Sequence, residues 1–191
     1  MQARAAAAER ATEQILDAAE ELFWENPARS VTLGAVAKRA GVSVHSIIRR
    51  FGGQEGMLDA AARRSRDRTS LQRDDAVPGD VTSVVAALVD HYELMGDRVL
   101  GMLALESRTP ALKEMADMGR QMHAEWCERF FAPALAKRRG AESRRLLVQL
   151  VAICDVYTWM ILRRQHRLSR RQTELALIEM LEPLVKERSP K

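Results

Sequence analysis

Between Glu25 and Glu55 there is no acidic side chain, while Arg29, Lys38, Arg39, Arg49 and Arg50 all fall inside. Cations without neighbouring acids can neutralise phosphate, so the interval is a candidate footprint for a nucleic-acid backbone or, more simply, a solvated basic face. Ser43, Val44, His45, Ser46 and Ile48 lie among those cations. Val44 offers a methyl for thymine, and His45 a hydrogen bond for a purine. Other chemistry is poorly provided for. There is no phosphate-cradling glycine loop, no HExxH and no GxSxG, and Asp155 beside Tyr157 is too little for an acid–base pair, so an enzyme is not expected. His123 and Cys127 stand four apart, a spacing two metal ligands on a helix can use, but Cys154 is the only obvious further partner. Neither a metal nor another cofactor is expected.

The basic interval sits on a recognisable helical pattern. A first helix spans about Thr12 to Glu25, with Ile15, Ala19, Leu22 and Phe23 at helical spacing, and Asn26-Pro27 ends it. Thr32 can cap a short helix whose apolar face is Leu33, Val36, Ala37 and Ala40, and Gly41 supplies the left-handed stop. Ser43 then caps a second short helix, Val44 to Arg50, with Ile47 facing inward. Two short helices joined by a glycine turn are the helix-turn-helix unit. The arrangement projects Val44, His45, Ile48 and Arg49 away from the core, with Ser43 and Ser46 near the start of the second helix. Such a helix fits the major groove of B-DNA. After Gly52-Gly53, a helix of about Gln54 to Ser70 completes a DNA-binding domain, residues 1–70, with the fourth helix as its connection.

Residues 71–191 read as a second domain. Gln72 to Asp80 is a polar loop; Val81, Val84, Val85, Leu88, Val89 and Tyr92 form one stripe; Gly96-Asp97 restarts the chain into a short helix. Pro110 opens another helix, Glu142 to Arg164 a long one, and Ser169 with Gln172 makes a capping box for the last. No alternating strand pattern occurs, so the expected fold is all-α with about nine helices. Met95, Met102, Met118 and Met122, with His123, Trp126, Cys154 and Tyr157, are either ordinary core or the lining of a pocket for a small apolar effector. The 142–164 helix is apolar nearly all round, so it is either internal to a monomer or covered by a second copy. In the second case Leu147, Val151, Met160 and Ile161, with Leu175, Ile178, Leu181 and Val185 of the last helix, form a homodimer seam.

Composition narrows the class. The 191 residues are 47% hydrophobic and 29% charged, too apolar for disorder. No stretch reaches the roughly 18 apolar residues of a membrane span, the N-terminus lacks a signal-peptide core, and the chain has only two cysteines. A cytoplasmic protein without membrane insertion is expected.

The segments ILDAAEELFWEN and VTLGAVAKRAGVSVHSIIRRFGGQEGMLDAA resemble the N-terminal domain of TetR-type (TetR/AcrR) transcriptional regulators over about Thr12 to Ala62. The resemblance implies a dimeric, ligand-responsive repressor of a near-palindromic operator, with a small-effector site in its helical C-terminal domain. It places Thr32 and Ser43 at phosphate-contacting positions, Val44, His45 and Ser46 at the base-reading start of the recognition helix, and Arg49 and Arg50 near the backbone. Departures from the family pattern are Val44, His45, Ile48 in place of a phosphate-contacting Tyr, and Gln54 in place of a Lys. They imply an unusual operator. Two rivals stay open: a sequence-independent DNA-coating protein, and a helical small-molecule-binding protein with weakened DNA binding.

Overall fold

The computed structural model describes residues 2–186, and these are all-α, with no strand among them. The chain divides into two compact units, Met1–Ser70 and Leu71–Lys191. Unit 1 holds α1 (Gln2–Glu25), α2 (Leu33–Ala40), α3 (Val44–Phe51) and most of α4 (Gln54–Asp74). Its core is Ile15, Leu16, Ala18, Ala19, Val31, Val36, Ala37, Ile47, Met57 and Ala61. Helix α1 starts about ten residues before the expected Thr12, because the alanine-rich start is a strong helix former. Arg64 fastens α4 to α1 through Glu13, Asp17 and Glu20 at 2.7–2.9 Å.

Unit 2 contains α5 (Val81–Leu103), a 3-10 turn (Glu106–Arg108), α6 (Pro110–Phe130), α7 (Ala132–Leu135), α8 (Gly140–Ile153), α9 (Val156–Trp159), a π-helical turn (Met160–Gln165) and α10 (Arg170–Val185). Helices α5, α8 and α10 pack around Val84, Val85, Leu88, Leu150, Trp159, Leu177 and Leu181, all buried. The described residues thus form ten α-helices against the expected nine or so.

Three local expectations are corrected. Helix α5 runs unbroken through Gly96, which is no restart: the Trp159 ring lies against it, and a methyl there would sit 2.5 Å from the ring. The 142–164 helix is not continuous. It ends at Ile153, Asp155 caps α9 by accepting from Tyr157 N at 2.9 Å, and the two parts meet at 43°. Helix α4 continues to Asp74, so Arg73 lies in its last turn and not in a loop. No single helix among the described residues is long and apolar enough to cross a membrane.

Candidate functional site

The helix-turn-helix is set by caps and one glycine. Thr32 Oγ1 accepts from Ala35 N at 3.3 Å, starting α2. Gly41, at φ 67°, takes the left-handed conformation that L side chains rarely adopt, and Val42 N returns to Ala37 O at 3.0 Å. Ser43 Oγ accepts from Ser46 N at 3.2 Å to start α3, and the two hydroxyls share a further 2.9 Å hydrogen bond. Ile47 is 0% exposed and anchors α3 to the core. With that residue fixed inward, Val44, His45, Ile48 and Arg49 face solvent; Val44 is 38% and Ile48 43% exposed. Large aliphatic side chains left open on the leading face of a short, rigid helix suit contact with a base edge, because no core claims them.

The basic interval is less free than its sequence suggests. Arg50 is not available as a backbone contact: its Nη1 donates to Ala8 O at 2.7 Å and Thr12 Oγ1 at 2.9 Å, tying α3 to α1. Arg39 donates to Glu25 and Glu21 at 2.8–3.2 Å, and these bonds hold Glu25 below the usual carboxylate range. Both pairings join cations inside the interval to groups on α1, outside it, which a count of local charge does not reveal. Arg29, Lys38 and Arg49 remain exposed.

The eight residues proposed for an effector pocket do not form one lining. Met118 and Tyr157 are exposed, Met95 and Met122 half-buried, and Met102 lies apart from the main core cluster. Two open hollows, of 550 Å³ beside Gly79 and Glu182 and 440 Å³ beside Glu128 and Arg144, are lined by none of the eight. What the fold does bring together is His123, Trp126 and Cys154, with three residues that the pocket set lacked: Arg73, His91 and Cys127. Arg73 is 7% exposed; its Nη2 lies 3.2 Å from His123 Nδ1, and its guanidinium stacks 3.9 Å over the Trp126 ring. Trp126 Nε1 in turn donates to Arg73 O at 3.4 Å. His123 Nε2 lies 3.2 Å from Val151 O and 3.8 Å from Cys127 Sγ.

Electrostatics here follow from burial. Desolvation lowers the pKa of Arg73. A hydrogen bond with Cys154 draws the Cys127 thiol below its usual range, helped by His123 and Arg73, and the same bond with burial holds Cys154 above it. Both thiols are free and buried. Among the described residues no group of three or more His, Cys, Asp or Glu is placed to hold a metal.

His91, 7% exposed, is pushed down to about 3 by burial, then by the charge of Arg73 and by His123. An unfolded histidine titrates near 6.5, so the unfolded chain gains a proton that the folded chain refuses until about pH 3. The stability this gives is present above pH 6.5 and is lost as pH falls towards 3. Thermal melts of the wild type should therefore drop more steeply between pH 6.5 and 4.5 than those of His91→Gln; parallel curves would count against the assignment.

Of the residues proposed for a homodimer seam, Leu181 is corrected: it is 0% exposed in the protomer's own core and has no surface to offer a partner. Leu147, Val151, Met160, Ile178 and Val185 are half-buried against that core, while Ile161 and Leu175 are open, 43% and 49% exposed. Val148 (65%) and Met180 (37%) are exposed apolar residues that periodicity had not singled out.

Residues 15–61 match the family model described as bacterial regulatory proteins, tetR family. The HTH-type transcriptional regulator BetI of Burkholderia mallei is 27% identical over 149 residues, covering 72% of this chain and 76% of that protein. Its counterpart in Burkholderia cenocepacia is 29% identical over 144 residues, covering 68% and 73%. Among solved structures, a protein of Rhodococcus sp. described as a TetR-family transcriptional regulator superposes with TM-score 0.61 at 18% identity, over 93% of this chain and all of that one. A transcriptional regulator of Streptomyces coelicolor A3(2) gives TM-score 0.56 at 22% identity, over 90% and 98%. At those identities the likeness is one of fold. With residues 15–61 matched as tetR and most of its length aligned to HTH-type regulators, the chain carries a TetR-type helix-turn-helix and is similar along most of its length to TetR-type transcriptional regulators.

Proposed function

We propose that the protein is a ligand-responsive repressor that binds a near-palindromic DNA operator as a homodimer, with residues 1–70 reading DNA and residues 71–191 holding effector and partner. The observation that carries the DNA half is the orientation of α3: Ile47 is wholly buried, while Val44, His45, Ile48 and Arg49 stand open. Thr32 and Ser43 lie at the helix starts beside that face and serve the backbone, and Ser46, hydrogen-bonded to Ser43 in the α3 cap, joins Val44 and His45 at the base-reading start. A second copy is supported by Val148 on α8, Ile161 in the π turn, and Leu175 and Met180 on α10, exposed on elements that pack together. Ligand would act through α4, whose residues belong to both units, by binding the DNA-free form more tightly, typically by about 1–3 kcal/mol of coupling.

Selection of bound duplexes from a random pool tests this reading. A two-fold symmetric sequence should emerge, and Arg49→Ala should weaken binding to it and reduce the salt slope by about 1, as expected for one lost phosphate contact. A pool that returns no preferred sequence would overturn the operator reading and favour a DNA-coating or carrier protein.

A further inference from the structure

Arg73 presents a problem that the fold does not solve by itself. A guanidinium is charged at any physiological pH, and burying it is costly unless an anion or a full set of acceptors faces it. Among the described residues no carboxylate forms an ion pair with Arg73: Asp74, whose charge favours the guanidinium, is itself paired with Arg129, and Arg73 Nε has no hydrogen-bond partner. Its Nη2 meets a histidine nitrogen. His91, as deeply buried, likewise has Nδ1 without a partner. The charges of Arg73 and His123 both help to hold His91 down, so the three side chains belong to one cluster. Arg73 is also near the surface in sequence: Gln72 and Asp74 on either side of it are exposed.

We propose that unit 2 carries an anion site centred on Arg73, in which the guanidinium, in one cluster with His91 and His123, binds the carboxylate of a small monoanionic molecule. This rests on the effector reading above and gives the effector a chemical class. The charge count selects a monoanion. The cluster holds one permanent cation, and the two imidazoles complete a set of hydrogen-bond donors and acceptors. A dianion such as phosphate would bring a second charge beside the buried apolar rings of Trp126 and Phe130. A planar carboxylate accepts from Nε and an Nη of one guanidinium at once, the pairing that most favours arginine over lysine.

The test uses the full chain and titration calorimetry with benzoate and octanoate, each against its uncharged amide. At least one carboxylate should bind saturably and at least 10-fold more tightly than its amide. Arg73→Gln should abolish that difference, whereas Arg120→Gln, on an exposed arginine of the same unit, should leave it intact. In the ligand-free protein Arg73→Met should melt at the same or a higher temperature than wild type, since it removes a buried charge; a merely structural arginine would lower it. Binding of neither carboxylate up to 10 mM, equal binding of acid and amide, or undiminished binding in Arg73→Gln would each overturn the proposal. Because calorimetry reads binding without DNA, a carboxylate that binds but leaves operator affinity unchanged would sink the ligand-responsive part of the reading and spare the site. An operator that binds normally with no carboxylate bound would do the reverse.

Discussion

Replacing Trp159 with alanine should lower the stability of unit 2 by about 3–5 kcal/mol, the range for deleting a fully buried aromatic side chain. Trp159 is 0% exposed and lies on Gly96 of α5. Its ring centroid is 5.9 Å from that of Tyr92, the Arg164 guanidinium stacks 4.4 Å over it, and its Nε1 donates to Glu93 Oε1 at 3.3 Å. One side chain therefore joins α5 to the α9 and π-turn segment through packing, stacking and a hydrogen bond together. The pair with Gly96 makes the prediction sharper. Gly96→Ala in the wild type forces a methyl to 2.5 Å from the ring and should itself be destabilising. In the Trp159→Ala background the same methyl enters a cavity and should be neutral or stabilising. Urea denaturation of the four proteins closes the cycle. Additive effects, or a Trp159→Ala loss below about 1 kcal/mol, would show that the contact is not what holds these helices.

The second large effect is expected at Ile47. It is 0% exposed, and it is the buried anchor of α3. Ile47→Ala should remove about 2–5 kcal/mol, while Ile47→Val should cost only about 0.5–1.5. A unit of this size has of the order of 4–10 kcal/mol in total. The alanine variant therefore stands near its unfolding threshold at growth temperature. Its helix-turn-helix amide resonances should broaden or collapse, while those of α8 and α10 keep their positions, and duplex binding should fall with them. Ile47→Val should bind DNA nearly as wild type. If Ile47→Ala retained both dispersion and affinity, the orientation assigned to α3 would be wrong.

Both sites also mark what the sequence makes legible. The α2–α3 turn is local: two apolar faces at helical spacing, two capping hydroxyls and one glycine lie within about twenty residues, so each signal supports its neighbour. Gly96 and Trp159 are distant in the chain, and a glycine beside an aspartate reads as a stop until its packing partner is known. Asp155 carried a signal that was available, since an aspartate before Val-Tyr is a helix start, but the apolar run on either side outweighed it. Arg73 gave no signal. It is one arginine in a stretch rich in arginine and aspartate, and only the tertiary fold distinguishes the buried one from Arg66 or Arg68. Arg50 and Arg39 show the converse: cations that look free in sequence are held by groups on α1.

The π-helical turn at Met160–Gln165 has a consequence for comparing related chains. It fits one more residue into a coil than regular helical winding needs, while Arg163 bonds Glu93 Oε1 at 2.7 Å and Leu168 O at 3.1 Å. A relative that lacked the extra residue would keep the same helices before and after it yet be one position shorter. Alignment across this stretch therefore belongs on the Glu93–Arg163 pair, because counting forward from Trp159 would assign every later side chain to the wrong neighbour.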